Sequence, residues 1–278
     1  MDRFQEEVNG ILSRIGTDHL KYNREEAWMY QHTYEFIQNY AVEKQLLNTA
    51  IALPVVRSLH DGTYRGVRRA ADGTRWRRPY FCHSLSVCRM LINLGLPLTQ
   101  EEEDIALAAA LCHDLKVHVP FRDGGNEMHT IYHLDPRVVE IMMLIYEGNC
   151  ENEDDYLKVF EGVQKNKLAL LVRLSDRGNI VEELYTVSVW KAHELIYETR
   201  TFYMPMCIYA REHFPELDAP VGLLQEKMRD LIEATEMFVN RYEQHEKELS
   251  EKILLLQEEN ARMRSLIRKK KAERESEE

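Results

Sequence analysis

The sequence feature that most constrains the fold is a dipeptide, His113-Asp114, at the end of the stretch IALAAALCHDL. Alanine and leucine favour a buried helix, so two polar side chains that can bind a metal ion stand at the end of a core helix. Adjacent residues on a helix project about 100° apart, so one ion can contact both only along the helix edge. Other helices must bring the remaining ligands to the same place. The pattern therefore predicts an all-α bundle organised around this point.

Two further residues lie on helices that could supply those ligands. His83 falls in the first turn of a helix predicted over 80–94, and Asp176 lies near the end of a long apolar helix. A buried aspartate needs a partner, either a neighbouring arginine such as Arg177 or a cation. Two neutral imidazoles and two carboxylates together balance a divalent ion. This nitrogen and oxygen set suits Mn, Fe, Zn or Mg, and its order in the chain favours a metal-dependent phosphohydrolase.

Residues 60–78 break the helical pattern. Three glycines predict a loop, which carries six arginines against two aspartates in a chain of net charge −11. Arginine forms forked hydrogen bonds with phosphate oxygens, so we expect this loop to hold a phosphate group or nucleotide. The candidate contacts are Arg65, Arg68 and Arg69. The alternative is a solvent-exposed loop that binds nothing.

The segment after the dipeptide is rich in loops and contains three more histidines. His118 lies four residues past Asp114, and we expect it to face the ion and to transfer protons. His129 and His133 could form a second shell around the metal or act as acid/base groups, but we expect them to be exposed loop residues.

Composition narrows the class of protein. The net charge of −11 opposes general binding to nucleic acids or anionic membranes, and the chain lacks a run of eighteen apolar residues that would predict a membrane span. The N-terminus lacks the profile of a secretion signal, and five scattered cysteines without a C-x-x-C pattern indicate reduced thiols. We therefore expect a cytoplasmic protein whose partner is a small phosphorylated nucleotide.

The C-terminal region has a heptad pattern. From Met228 to Ile267, nine of the twelve a and d positions are apolar, and the exceptions are Thr235, Glu246 and Asn260. An asparagine at one a position, with leucine at d, favours a parallel two-stranded coiled coil and hence a homodimer. A single helix folded back on the globular body is the alternative. The predicted organisation is N-terminal helices over 1–50, a core over 51–215, a linker over 216–222 and a coiled coil with a charged tail over 223–278.

Several of these stretches together resemble a known enzyme family. LHDGTYR, PYFCHSLSV, AAALCHDL, DDYLKVFEGVQKNKLALLVRLSDRGN and YETRTFYMPM occur in this order over roughly half of the chain. They are similar to the HD-domain hydrolase module of RelA/SpoT-type (p)ppGpp hydrolases. The resemblance implies an HD-domain helical bundle followed by a coiled-coil helix. It also implies a divalent metal, commonly Mn²⁺, held by His83, His113, Asp114 and Asp176.

The resemblance further implies a nucleotide pocket lined by Arg65, a ribose contact from Asn179, and release of pyrophosphate from the 3′ position of (p)ppGpp in the stringent response. Two features depart from the family pattern. Val117 and His118 occupy the positions of a Glu-Asp pair, and Asn179 follows the last aspartate by three residues instead of four. Two alternatives therefore stay open. One is a general HD phosphohydrolase acting on other nucleotides or phosphate esters, and the other is a dimeric sensor that binds a nucleotide without cleaving it.

Overall fold

The computed structural model of the chain describes residues 2–69, 75–119, 121, 126–148 and 150–277. This part is helical apart from one two-stranded hairpin, which confirms the predicted all-α class. Within these ranges, none of the helices combines the length and the apolarity that crossing a membrane requires. The helices are α1 (Asp2–Ile15), α2 (Gln31–Lys44), α3 (Leu47–Leu59), α4 (Phe81–Asn93), α5 (Gln100–Cys112), α6 (Leu115–His118), α7 (Glu127–Thr130), α8 (Pro136–Leu144), α9 (Glu153–Lys165), α10 (Lys167–Glu182), α11 (Val189–Glu198), α12 (Met204–His213) and α13 (Asp218–Glu277).

Helix α5 is the centre of the core. It begins at the capping box that the sequence predicts, in which Thr99 and Glu102 each bond the other's backbone N–H. Every side chain from Ile105 to Cys112 is buried, and α3, α4, α8 and α10 pack around it. Small alanines allow these neighbouring helices to approach closely. The end of α5 therefore lies where several core helices meet.

Helix α10 approaches its neighbours through a glycine. A Cβ atom at Gly178 would lie 2.7 Å from Met90 Sδ on α4 and 2.9 Å from Leu224 Cδ1 on α13. A side chain here would force the ends of the Met90 and Leu224 side chains to move. Glycine thus lets α10 pack closely against α4 and α13.

The N-terminal region is helical, as expected, and its aromatic residues divide between core and surface. Tyr34, Ile37 and Ala41 of α2 lie in the core, whereas Trp28 is exposed. Trp28 belongs to a separate 3₁₀ helix (Arg24–Met29), so the helical periodicity of α2 does not extend to it.

The stretch predicted as an arginine-rich loop forms an antiparallel hairpin. Strand β1 (Tyr64–Arg69) pairs with β2 (Arg75–Pro79), and Val67 lies opposite Arg77. The loop prediction was wrong because glycines do not exclude strands: Gly62 has a positive φ of 74° just before β1, whereas Gly66 lies within β1. The aromatic and β-branched residues of this stretch favour strands.

The stretch 216–222, predicted as a linker, contains a 3₁₀ turn (Pro215–Leu217) and the beginning of α13. Pro220 lies in the first turn of this helix, where a backbone N–H is not needed, so it does not interrupt the chain. The first part of α13 packs on α10, α11 and α12, with Met228 and Ile232 buried. From residue 240 to residue 269 every side chain is exposed.

Candidate metal centre

Four side chains converge at the end of α5. His83 of α4 places its Nε2 3.3 Å from His113 Nε2 and 3.1 Å from Asp176 Oδ1 of α10. Asp114 Oδ2 lies 3.2 Å from His113 Nε2 and 3.5 Å from His83 Nε2, and His113 Nε2 lies 3.6 Å from Asp176 Oδ1. The structure thus brings together all four residues predicted as metal ligands.

Hydrogen bonds fix the tautomer of both imidazoles. His83 Nδ1 lies 2.9 Å from Asn179 Oδ1, and His113 Nδ1 lies 2.8 Å from the carbonyl oxygen of Ala110. Both oxygens are acceptors, so each Nδ1 carries a hydrogen and donates it, which leaves the lone pair of each neutral ring on Nε2. Metal-binding histidines have this arrangement, in which the nitrogen away from the metal donates to an oxygen.

With both imidazoles neutral, hydrogen-bond acceptors face one another at the centre of the cluster. Asp176 Oδ1 is buried and has no hydrogen-bond partner in the described part of the chain, and it faces two Nε2 lone pairs. An unsatisfied buried acceptor costs about 1–3 kcal/mol, so this region requires a positive charge. Metal–ligand bonds of about 2.0–2.2 Å separate neighbouring ligand atoms by about 2.8–3.6 Å, which is the spacing present here. The ligand atoms of His83, His113 and Asp176 all lie within 4.8 Å of one another.

Either a proton or a metal ion can supply that charge. Burial by itself lowers the pKa of His113, but the carboxylates of Asp114 and Asp176 outweigh burial and raise this pKa to about 10. Burial likewise opposes ionisation of both aspartates, yet the imidazoles hold the pKa of each carboxyl below its usual value. A divalent cation would therefore compete with a proton for this cluster.

Two residues that hold the ligands were missed in the sequence. The Tyr80 hydroxyl donates to Asp114 Oδ2 at 2.6 Å, and burial followed by the nearby Asp114 charge raises the pKa of Tyr80, so the hydroxyl keeps its proton. Arg173 donates from Nη1 to Asp176 Oδ2 at 3.2 Å and also pairs with Glu147. Arg173 lies three residues before Asp176 on α10, and this helical spacing could have identified it, whereas Tyr80 bonds a residue distant in sequence that no local spacing indicates.

Two predicted partners are placed differently from expectation. Asn179, expected at a ribose, is buried and bonded to His83 through its amide oxygen. It follows Asp176 by about one turn of α10, so it orients the imidazole instead of facing a ligand pocket. Arg177, one of the arginines considered as a partner for Asp176, pairs with Glu198 at 3.0 Å, and Arg173 is the arginine that bonds Asp176.

His118 lies beside the cluster, at the end of the short helix α6. Its ring lies 4.1 Å from the ring of Tyr80 and 5.7 Å from the ring of His60. Burial lowers the pKa of His118, with Asp114 opposing, so the ring is neutral near pH 7. His129 and His133 are exposed, as expected.

Arg65 is the one of the three candidate phosphate contacts whose side-chain surroundings the structure describes. Its guanidinium lies 5.8 Å from the ring centre of Tyr80, and its Nη1 is buried without a partner among the described residues. The Arg65 guanidinium, with one N–H donor unpaired, thus lies over the ring of Tyr80, the tyrosine that bonds Asp114. The side chains of Arg68 and Arg69 lie outside the described residues, so their phosphate contact stays a prediction.

One cavity adjoins the cluster, and a second cavity shares a wall residue with it. The first, about 180 Å³, is lined by His113, Asp114, Val117 and Arg173, among others. The second and larger cavity, about 530 Å³, has aromatic side chains at half of its lining positions. Glu147 lines both, so the two cavities share one wall residue.

Comparisons with models of protein families, with curated proteins and with solved structures give no match to this chain. The chemical interpretation therefore depends on the geometry of the cluster and on the resemblance of its sequence motifs.

Proposed function

We propose that this protein is a divalent-metal-dependent phosphohydrolase that acts on a small phosphorylated nucleotide. The observation that supports this most strongly is the meeting of His83, His113, Asp114 and Asp176, in which the imidazole Nε2 atoms and the carboxylate oxygens lie 3.1–3.6 Å apart. We propose Mn²⁺ as the ion and a (p)ppGpp-like alarmone as the first substrate to test, because the sequence motifs resemble that family. The free thiols of all five cysteines support a cytoplasmic location.

The surrounding residues fit this chemistry. A divalent cation held by the cluster supplies Lewis-acid catalysis of phosphate-ester hydrolysis. Tyr80 and Asn179 hold Asp114 and His83 in place. Arg65 offers an unused donor to phosphate oxygens, and the neutral His118 is the candidate acceptor for a proton from the attacking water.

A sensor that binds a nucleotide without cleaving it is the second candidate. Val117, at a position where the resembled family has an acid, is exposed and lines the small cavity beside Asp114. A valine there cannot move a proton. A general phosphohydrolase on other phosphate esters is the third candidate, and it uses the same cluster.

One experiment separates the three. Full-length, Mn²⁺-loaded protein is incubated with ppGpp, pppGpp, a panel of nucleotides and simple phosphate esters, and release of phosphate and pyrophosphate is measured. We expect hydrolysis of a nucleotide, loss of it in Asp114→Ala, and its retention in the control Asp104→Asn, whose carboxylate bonds Asn48 and Thr49 instead.

The other outcomes are equally clear. Cleavage of simple esters alone supports the general enzyme, and tight nucleotide binding without turnover supports the sensor. The absence of both nucleotide binding and turnover would contradict a nucleotide function altogether. Full activity in His118→Ala would show that His118 is not the proton acceptor.

We also propose that two copies pair through the exposed part of α13. Apolar side chains repeat at heptad spacing along a segment whose side chains are all exposed from residue 249 to residue 269, and each of them is about half exposed: Leu249, Ile253, Leu256, Met263 and Ile267. In a parallel pair, Asn260 would meet its own copy, and Glu259 would face Arg264 of the second chain. Sedimentation should show a dimer that Leu256→Glu dissociates, whereas Leu254→Glu, off the seam, should leave it intact. A dimer that survives Leu256→Glu would contradict this pairing.

A further inference from the structure

The larger cavity has a composition that the metal cluster does not explain. It lies between α9, α10, α11 and the π-helical turn Thr199–Tyr203, and its volume of about 530 Å³ falls in the range of small-molecule sites. Five of the residues that line it are aromatic: Tyr156, Phe160, Tyr197, Phe202 and Tyr203.

We propose that this cavity binds the nucleobase of the nucleotide whose phosphate groups lie at the metal cluster. The inference rests on the proposed function and adds to it a subsite that requires a planar, uncharged ring. Four observations carry it: the arrangement of the aromatic side chains, the balance of charge, an unused donor on a lining residue and the shared wall residue.

The aromatic side chains form a floor and a rim. Phe160 and Tyr203 are buried and meet edge to face, with ring centres 5.2 Å apart, and Phe202 stacks on Phe160 at 5.3 Å. Tyr156 and Tyr197 are 40% and 65% exposed. Stacking a base on such a ring strengthens binding by about 5- to 150-fold, and every base has a face that can stack.

The polar groups of the cavity are suited to a neutral ligand. Each carboxylate that lines it has a cationic partner: Glu147 pairs with Arg173, Glu198 with Arg177, and Glu194 with Lys191. With the charges balanced in this way, neither an ammonium group nor a phosphate gains a counter-ion there. A ring with carbonyl oxygens and amino groups can use the same side chains as hydrogen-bond partners.

One donor in the cavity is unused. Arg177 is only 6% exposed and lies 3.9 Å from the ring centre of Tyr203, and its Nε is buried without a hydrogen-bond partner among the residues described. A buried, unpaired N–H favours a ligand that brings an acceptor. The carbonyl oxygen or a ring nitrogen of a base provides one.

One residue lies between the cavity proposed for the base and the cavity beside the metal cluster. Glu147 lines the aromatic cavity and the small cavity beside His113 and Asp114. Arg173 bonds both Glu147 and Asp176, so one ion-pair network joins the base subsite to the metal cluster.

The test compares ligands that differ only in the base. Binding of AMP, GMP, CMP, UMP and ribose 5-phosphate to the full-length, Mn²⁺-loaded protein is measured by calorimetry. We expect at least one nucleotide to bind about tenfold more tightly than ribose 5-phosphate. Tyr197→Ala should remove about that factor and leave ribose 5-phosphate unaffected. Tyr197 is largely exposed, so this variant should fold, and Tyr185→Ala, 76% exposed and outside the cavity, is the matched control.

Equal affinities for the nucleotides and ribose 5-phosphate would overturn the inference, as would a Tyr197→Ala variant with unchanged nucleotide affinity. These failures are distinct from failure of the proposed function. Hydrolysis that depends on neither the base nor Tyr197 would contradict the base subsite and support the proposed enzyme. Base-dependent binding without hydrolysis would support the base subsite and contradict the proposed enzyme.

Discussion

Replacing Asp176 by asparagine should remove most of the stability that a divalent cation gives to this protein. Asp176 Oδ1 lies 3.1 Å from His83 Nε2 and 3.6 Å from His113 Nε2, within the spacing that one ion can bridge. Asparagine has nearly the same shape but no negative charge. Its amide group can also donate to the Nε2 lone pairs, in the place that a cation needs.

The expected effect follows from linkage between binding and folding. A metal present at 100 times its Kd, and bound only by the folded state, stabilises the protein by about 2.7 kcal/mol. At about 2–4 °C per kcal/mol for a large domain, Mn²⁺ should raise the Tm by about 5–11 °C. Loss of a residue that merely supports a ligand weakens metal binding by about 10–100-fold. If Asp176→Asn weakens binding 100-fold, the same Mn²⁺ concentration adds only about 0.4 kcal/mol, or about 1–2 °C.

The assay is thermal unfolding, followed by circular dichroism, of chelator-treated protein with and without MnCl₂. Asp104→Asn is the matched control, because Asp104 is also a buried carboxylate on the same core but bonds Asn48 and Thr49 near the start of α5. This control should lower the Tm without metal and keep the full rise with Mn²⁺. A rise in Asp176→Asn equal to that of the unaltered protein would refute the assignment of this carboxylate as a ligand.

Four further predictions concern the same cluster. Asn179→Ala should weaken Mn²⁺ binding by about 10–100-fold, because His83 loses the acceptor for Nδ1, and Asn179→Asp should retain more of the affinity in a calorimetric titration. Tyr80→Phe removes the hydrogen bond to Asp114 and should weaken Mn²⁺ binding about tenfold; an unchanged Kd would show that Tyr80 does not orient this carboxylate. Binding of Mn²⁺ between pH 7 and 9 should release about one proton, because the raised pKa of about 10 keeps His113 protonated in the metal-free protein, and calorimetry in buffers of different ionisation enthalpy measures it. For the same reason, the stability that His113 gives the metal-free protein is fully present below about pH 6.5 and falls as the pH rises through 10, which chemical denaturation can follow.

Local signals were sufficient for most of the helices. The capping box at Thr99 marks the start of α5, and alanines and leucines without polar interruption predict that α5 is buried. Local sequence signals did not predict the hairpin, because a loop and a hairpin can have the same amino-acid composition. The arginine-rich stretch contains both turn-forming and strand-forming residues, and strands form only when a second strand pairs with the first.

The candidate ligands could be named from the sequence, whereas the residues that orient them could not. His83, His113, Asp114 and Asp176 are residue types that bind metals, and their order in the chain pointed to one site. Tyr80 and Asn179 are types that serve many purposes, so their roles depend on which atoms they face.

The sequence by itself determined the all-α class, the heptad pattern of α13 and the identity of the four candidate ligands, because these depend on residue type and on spacing along the chain. Only the tertiary structure decided that the two Nε2 atoms lie 3.3 Å apart, that Asp176 Oδ1 is buried without a hydrogen-bond partner among the described residues, and that an aromatic cavity shares Glu147 with the small cavity beside the cluster. Such distances arise from the packing of helices distant in sequence, for example the close approach at Gly178, and no pattern of neighbouring residues specifies them.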